Sequence, residues 1–228
     1  MTRHAHLKEH DSIVAVFFAS RLAVALLPLA IRAGISPSAV TYASFALVLA
    51  AAVVLSAGGS GLLAAVLVVA GFILDCLDGT LARATGRTSD FGRWLDSMTD
   101  LVKVYALVVA LTVRAAGATD GTTATALGIV ALLGYLLCEL HTQLARQLPQ
   151  RSQAEYEATA APWRARFRLF GQRIDFAFAI GEVLATIALA AAIDQALLGL
   201  VVLAVATPVQ FGSYAVRFWR LRYVGQRP

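Results

Sequence analysis

The sequence predicts an all-α integral membrane protein in which six transmembrane helices follow an amphipathic helix at the membrane interface. Hydrophobic residues make up 59% of its 228 residues and charged residues only 14%, whereas an average soluble domain has about 25% charged residues. Six apolar runs are each long enough to cross roughly 30 Å of hydrocarbon. Most basic residues fall on one side of these runs, as in multi-pass membrane proteins. A soluble globular domain is therefore excluded.

The first 33 residues are predicted to lie outside the hydrocarbon core. Residues 1–11 are polar and are predicted to be mobile. Residues 12–33 are apolar but contain Arg21, and an arginine at mid-span is costly in lipid. We therefore predict an amphipathic helix lying at the cytoplasmic interface, with a first transmembrane helix as the alternative. Residues 34–228 then form a single six-helix membrane domain.

Local helix signals place the six spans along the rest of the chain. Ser36 is a natural N-cap, and Pro37 fits the first turn of the first span. Short Gly-rich or polar breaks separate several of the following runs. The spans are predicted at residues 38–57, 61–83, 92–114, 123–147, 173–192 and 195–216. The connection at residues 147–172 mixes Trp, Phe and Arg and is predicted to be an amphipathic segment at the membrane surface.

The basic residues predict the orientation of the chain. With the amino terminus inside, 17 of the 19 lysines and arginines fall in cytoplasmic segments or helix ends, Arg114 falls outside, and Lys103 lies within a span. This asymmetry predicts that both termini and the carboxylate cluster are cytoplasmic. The predicted location of this multi-pass protein is the plasma membrane. The net charge of +5 therefore reflects membrane orientation, and no nucleic-acid partner is predicted.

Four carboxylates lie in the stretch DCLDGTLARATGRTSDFGRWLDSMTD, residues 75–100. They are Asp75, Asp78, Asp96 and Asp100. Spacings of three and four residues bring each pair onto one helix face, and Gly86 is a breaker between the two helices. Two like charges about 4 Å apart repel by roughly 4 kcal/mol at an effective dielectric of about 20, so a bound cation is expected. Carboxylate oxygens suit hard divalent ions, and the cluster is predicted to hold two Mg²⁺ or Mn²⁺ ions.

This stretch resembles the signature of the CDP-alcohol phosphotransferase family, whose members are also called CDP-alcohol phosphatidyltransferases. The shared positions, at fixed spacing, are Asp75, Asp78, Gly79, Ala82, Arg83, Gly92, Asp96 and Asp100. The resemblance implies that Asp75, Asp78 and Asp96 are metal ligands. It implies that Asp100 is the general base and is close enough to contact a metal. Lys103, one turn beyond Asp100, is predicted to pair with Asp100 or with a lipid phosphate, with a charge-compensating structural role as the alternative.

The resemblance also implies a nucleotide site beside the carboxylates. Gly79 and Ala82 are small where a nucleotide must approach the backbone, and Arg83 offers a planar donor fork for phosphate. A Pro-x-x-x-Thr element similar to that of the family places Thr41 at the cytidine diphosphate. Gly92 is predicted to let the two carboxylate-bearing helices approach each other.

The acceptor side of the site matches the family in part. Members that use inositol phosphate carry a Ser-Tyr-x-Lys-Ala-Arg-like patch at the cytoplasmic end of the fourth span. Here Arg146 fits that patch, whereas His141 and Leu144 replace its Ser and Lys. The Arg-x-Asp element formed by Arg173 and Asp175 is similar to one in members that make inositol-containing solutes. Arg146, Arg173 and Asp175 are therefore the predicted acceptor or headgroup contacts.

The function implied by the resemblance is transfer of a phosphatidyl group from CDP-diacylglycerol to a small polar alcohol, with release of CMP, in phospholipid biosynthesis. The resemblance also implies a homodimer in the lipid bilayer. One alternative keeps the reaction but transfers a phospho-alcohol from a soluble CDP-alcohol to a lipid or polyol. A divalent-cation transporter is an alternative of another class. It predicts acidic residues spread through the membrane depth, whereas the four aspartates cluster at the cytoplasmic end.

Overall fold

The computed structural model describes residues 10–149, 154, 156, 164–169, 172–175 and 178–224. Within these residues the chain forms seven α-helices and three short strands. The helices are α1 (Ser20–Arg32), α2 (Pro37–Ser56), α3 (Gly61–Thr85), α4 (Asp90–Ala118), α5 (Gly121–Arg146), α6 (Ile180–Ala192) and α7 (Ala196–Val224). A π-helical turn, Ala15–Ala19, leads into α1.

The helical membrane fold is confirmed. In the described part of the chain, α2, α3, α4, α5 and α7 are long and apolar enough to cross a membrane. The sixth apolar helix, α6, has 13 residues and is therefore about 20 Å long at 1.5 Å per residue. The first four predicted spans correspond to helices α2 to α5, and each predicted boundary lies within four residues of the observed one.

Short polar residues fix where the first helices begin and end. The Ser36 side chain accepts a hydrogen bond from the Ala39 N–H at 3.2 Å, and Pro37 is the first residue of α2, as predicted. Helix α3 ends at Gly86, which has φ 67°, a left-handed conformation that glycine adopts without steric cost. The Ser89 hydroxyl then caps α4 by accepting from the Gly92 N–H at 3.0 Å. Only four residues therefore separate α3 from α4.

Close packing of α2 against α3 aligns the two helices beside the carboxylates. A Cβ placed on Gly71 of α3 would lie 2.5 Å from a methyl group of Val48 of α2, so the absence of a side chain allows this approach. The Ser44 hydroxyl donates to the Gly71 carbonyl at 2.9 Å. Around this contact lies a core of fully buried aliphatic side chains drawn from α2, α3, α4, α6 and α7. It includes Val48, Leu55, Val68, Leu107, Leu111, Ile187 and Leu203.

Helix α1 lies against α3 through a row of small residues. Ala23 and Ala30 are buried against Leu77 and Leu81 of α3, whereas Leu29 is 65% exposed. The exposed residues of α1 are mostly apolar but include Arg21 and Arg32, a mixture of the kind found in helices at a membrane interface. The interfacial position of residues 12–33 remains a prediction.

Arg114 ties together three chain segments at the far end of the bundle. Its guanidinium donates to Asp194 Oδ1 at 2.7 and 2.9 Å and to the Gly59 carbonyl at 2.8 Å. These partners lie in the α6–α7 turn and the α2–α3 turn, whereas Arg114 is near the end of α4. The contact is at the opposite end of α4 from the carboxylates.

Three short strands form a small sheet that the sequence did not lead us to expect. They are β1 (His10–Ser12), β2 (Arg164–Leu169) and β3 (Gln172–Asp175), in the order β1-β3-β2. Strand β3 pairs in parallel with β1 and antiparallel with β2. Residues 10–11 were predicted to be mobile, but they belong to β1; residues 1–9 of that segment lie outside the described residues.

The fifth span begins later than predicted. The apolar pattern placed its start at residue 173, but residues 172–175 are paired in β3 and α6 begins at Ile180. Backbone hydrogen bonds to β1 and β2 take up the groups that a helix would otherwise use. The surface connection at residues 147–172 is described only in part, and its described portion includes β2.

Candidate active site: a carboxylate cluster between α3 and α4

The last turns of α3 and the first turns of α4 bring the predicted carboxylates together. The short turn after Gly86 makes the two helices antiparallel neighbours. Asp75, Asp78 and Asp96 each offer one carboxylate oxygen, and these three oxygens lie within 4.8 Å of one another. The convergence predicted from the spacing is therefore present for these three side chains.

Asp78 is the most deeply buried of the four carboxylates. Its side chain is only 5% exposed, and its Oδ2 accepts a hydrogen bond from the Thr41 hydroxyl at 2.5 Å. Thr41 lies in the first turns of α2 and is itself buried. Helix α2 therefore contributes a hydrogen-bond donor to the cluster, and this bond offsets part of the cost of burying the Asp78 charge.

The fourth carboxylate, Asp100, is held by a buried lysine. Lys103 Nζ lies 2.8 Å from Asp100 Oδ1 and also forms an ion pair with Asp75 Oδ1. The Ser44 hydroxyl of α2 is 3.4 Å from the same nitrogen. Lys103 therefore connects α2, α3 and α4 at the site. Of the two partners predicted for this lysine, the structure shows Asp100.

The donor set fits a hard divalent cation. It consists of carboxylate oxygens only, which Mg²⁺ and Mn²⁺ prefer. Asp75, Asp78 and Asp96 already lie close enough for their oxygens to share an ion, and each is on a well-formed helix. These three residues can hold a metal, with Asp100 next to them through the shared contact with Lys103.

The predicted nucleotide residues surround this cluster in different ways. The hydroxyl of Thr41 is directed to Asp78, so its observed contact is with a carboxylate. The guanidinium of Arg83 lies back over Gly79, where a Cβ would be 3.2 Å from Nη1, and Nη2 donates to Thr80 at 3.4 Å. Ala82 is half-buried one turn beyond Asp78. Their contacts with a nucleotide remain predictions.

Gly92 does not have the packing role expected of it. A Cβ at Gly92 would meet only the Ser89 hydroxyl, at 3.2 Å. The reason is its position in the first turn of α4, where it faces the helix's own cap rather than α3. The close approach that a glycine permits occurs instead at Gly71, between α2 and α3.

The predicted acceptor residues are only partly described. Arg146 is in the last turn of α5 and is exposed. Arg173 and Asp175 lie in β3, where their backbones pair with β1; their side chains lie outside the described part of the chain. Contact of these three side chains with a common acceptor therefore stays a prediction.

Two features of this end of the bundle were missed in the sequence. Ser44 follows Thr41 by three residues and so shares its helix face, a spacing that could have identified it. The second feature is an aromatic cluster around His141. The imidazole stacks on Tyr214 at 4.9 Å between ring centroids, and its Nε2 is 2.8 Å from the Tyr156 hydroxyl. This cluster fixes the ends of α5 and α7 against each other.

Comparison with known proteins gives the same family as the motif. Residues 34–206 match the sequence model of the CDP-alcohol phosphatidyltransferase family. Over 67 residues the chain is 42% identical to archaetidylinositol phosphate synthase of Pyrococcus horikoshii, covering 29% of this chain and 35% of that protein. Over 102 residues it is 34% identical to phosphatidylinositol phosphate synthase of Streptomyces avermitilis, covering 45% of this chain and 42% of that protein. The chain thus spans less than half the length of either curated relative.

The fold is similar to a solved structure. The crystal structure of Mycobacterium tuberculosis phosphatidylinositol phosphate synthase with CDP-DAG bound superimposes with a TM-score of 0.55 at 22% identity, covering 89% of this chain and 94% of that one. The family match extends over well more than half of the chain and includes every carboxylate of the cluster. The chain therefore belongs to the CDP-alcohol phosphatidyltransferase family.

Proposed function

We propose that this protein transfers a phosphatidyl group from CDP-diacylglycerol to a small polar alcohol and releases CMP, using two Mg²⁺ or Mn²⁺ ions. The observation that carries the proposal is the convergence of Asp75, Asp78 and Asp96, with one oxygen of each within 4.8 Å of the others. Asp100 and Lys103 lie beside this group. Carboxylates arranged in this way would hold cations that can bind a diphosphate.

The donor is proposed to bind with its diphosphate at the carboxylates. Asp75, Asp78 and Asp96 would hold the ions, which would supply positive charge to neutralise the diphosphate and stabilise the departing CMP. Arg83 lies one turn beyond Gly79 on α3, and its guanidinium can turn from that glycine to a phosphate oxygen. The apolar surface of the spans accommodates the lipid tails of the donor.

Asp100 is proposed to act as the general base. Its carboxylate removes the proton from the acceptor hydroxyl while the hydroxyl oxygen forms a bond to the phosphorus that bears diacylglycerol. The bond from that phosphorus to the oxygen bridging to CMP breaks, and CMP leaves with the electron pair. The products are the phosphatidyl alcohol, CMP and a proton held on Asp100. Direct displacement needs no covalent enzyme intermediate.

The acceptor is proposed to approach from the α5 side of the cluster. Arg146, at the end of α5, and Arg173 and Asp175, in β3, are the proposed contacts for its polar groups. Both curated relatives are named as synthases of inositol phosphate lipids, so inositol phosphate belongs among the acceptors to be tried. His141 and Leu144 depart from the family's inositol-phosphate patch, so uncharged and amino alcohols belong there too.

The remaining proposals concern assembly and position in the cell. We propose a homodimer in the plasma membrane with the carboxylates and both termini on the cytoplasmic side. The basic residues support this orientation, since 17 of 19 fall on that side of the predicted spans.

The test is CMP release by the purified protein. It is incubated with CDP-diacylglycerol, Mg²⁺ or Mn²⁺, and a panel containing glycerol 3-phosphate, serine, inositol and inositol phosphate. Release with one of these is expected, and Asp96→Asn or Asp100→Asn is expected to abolish it. The control is Asp90→Asn, because Asp90 is exposed in the first turn of α4 and pairs with Arg93 outside the cluster.

The outcomes separate the proposed function from its alternatives. If no acceptor gives CMP from CDP-diacylglycerol but the protein turns over a soluble CDP-alcohol, the proposed donor is wrong. The alternative, transfer of a phospho-alcohol from a soluble donor, is then favoured. Uptake of divalent ions into vesicles without any turnover would refute enzymatic function and favour a transporter.

A further inference from the structure

Lys103 is an unusual element of the site because its charged end is buried between three helices. The side chain is 1% exposed and comes from α4, one turn after Asp100. Its nitrogen contacts Asp100 of the same helix, Asp75 of α3 and Ser44 of α2. All of these partners lie at the carboxylate end of the bundle.

A buried ammonium group is stable only when its charge is compensated. Burying it unpaired would cost several kcal/mol or more. Lys103 instead donates hydrogen bonds to Asp75 and Ser44 and forms an ion pair with Asp100. The same contacts compensate the negative charges of Asp75 and Asp100. Without Lys103, the site would hold four carboxylates and would lose the buried cation that opposes their mutual repulsion.

The contacts also fix the orientation of two carboxylates. Lys103 engages Oδ1 of Asp75 and Oδ1 of Asp100, which leaves the second oxygen of each available for an ion or a proton. A carboxylate held at one oxygen cannot rotate freely, so the second oxygen keeps a defined direction. Asp75 is one of the three grouped carboxylates, and Asp100 is the proposed base.

We propose that Lys103 is a permanent cation of the carboxylate cluster and acts as a positioning residue. It orients Asp75 and Asp100 before divalent ions bind, and its own positive charge weakens the binding of those ions. The proposal rests on the proposed function, which makes Asp75 a metal ligand and Asp100 the base. Its two parts have opposite consequences when the charge is removed. Ion affinity rises because a nearby positive charge is lost, and turnover falls because the carboxylates lose their orientation.

The experiment measures ion binding without substrate. The full-length protein in detergent is unfolded thermally at increasing MgCl₂ or MnCl₂, and the concentration that gives half of the stabilisation is recorded for the wild type and for Lys103→Met, Lys103→Gln and Lys103→Arg. In EDTA both neutral variants are expected to unfold at lower temperature than the wild type. Their half-saturating concentration is expected to fall by roughly tenfold or more, and kcat for CMP release to fall by about 10–100-fold, the range found for groups that orient metal ligands. Lys103→Arg keeps the charge and is expected to stay near the wild-type ion concentration.

The matched control is Arg114→Met. Arg114 is another ion-paired cation of α4, eleven residues and hence roughly 16 Å farther along the helix. Its removal is expected to lower stability without changing the ion concentration. A general loss of helix packing would act alike at both positions.

Several results would overturn the proposal. One is a neutral Lys103 variant that binds ions at the wild-type concentration or more weakly, which would make the lysine a structural residue only. Another is failure of both neutral variants to fold at saturating Mg²⁺, since tighter ion binding should replace the missing charge. Absence of any ion effect on the wild type would refute the metal cluster itself, and normal ion binding without CMP release would refute only the proposed reaction.

Discussion

Replacing Thr41 by valine tests whether α2 helps to build the carboxylate cluster. Valine keeps the branched shape of threonine and removes only the hydroxyl that donates to Asp78 at 2.5 Å. Both side chains are buried, at 6% and 5% exposure, so water cannot easily replace the lost bond. A hydrogen bond to a charged group contributes about 1.5–3 kcal/mol. For a chain of this size that corresponds to a decrease of about 3–12 °C in the unfolding temperature.

The assay is thermal unfolding of purified Thr41→Val in detergent, in EDTA and in saturating Mg²⁺. The full decrease is expected in EDTA. Part of it is expected to be recovered in Mg²⁺, because a bound ion compensates the Asp78 charge. Thr41→Ser keeps the hydroxyl and serves as the control, with a smaller effect. A Thr41→Val protein as stable as the wild type in EDTA would refute the reasoning and would leave Thr41 as a nucleotide contact only.

Three further predictions concern packing, ions and orientation. Gly71→Ala is expected to destabilise the protein by about 1–3 kcal/mol, because a Cβ there would lie 2.5 Å from a methyl group of α2. The control is Gly117→Ala, at an open position of α4, which is expected to leave the unfolding temperature unchanged or raise it slightly. Removal of divalent ions with EDTA is expected to stop CMP release, and added Mg²⁺ or Mn²⁺ to restore it, whereas turnover that persists in EDTA would contradict a metal-dependent reaction. In a cysteine-free background, Thr119→Cys is expected to react with a membrane-impermeant thiol reagent on intact cells and Arg87→Cys only after permeabilisation; the reverse pattern would invert the proposed orientation.

Much of the membrane domain follows from signals local in the sequence. Ser36 caps α2 and Gly86 ends α3, and both roles could be predicted from residue type and from the apolar runs beside them. The carboxylate convergence was predictable for the same reason. Residue spacing puts each pair on one helix face, and a four-residue turn brings the end of α3 beside the start of α4.

Contacts between distant parts of the chain were not predictable in this way. The ion pair of Lys103 with Asp75 and the bond of Thr41 to Asp78 depend on how α2, α3 and α4 rotate against each other, which hydropathy does not determine. The late start of α6 depends on pairing of β3 with β1, about 160 residues away in sequence. Strand β2 did leave a local signal, since RARFRL alternates basic and apolar residues with the two-residue period of a strand.

The four-residue turn at Gly86 has a consequence for how such proteins can diversify. Because α3 and α4 are joined so closely, and α2 packs against both, the groups proposed to carry out the chemistry come from three successive helices in the first half of the chain. The second half, α5 to α7, packs against this unit and carries Arg146, a proposed acceptor contact. Substitutions there can change the proposed acceptor contacts while the residues proposed to transfer the phosphatidyl group stay intact.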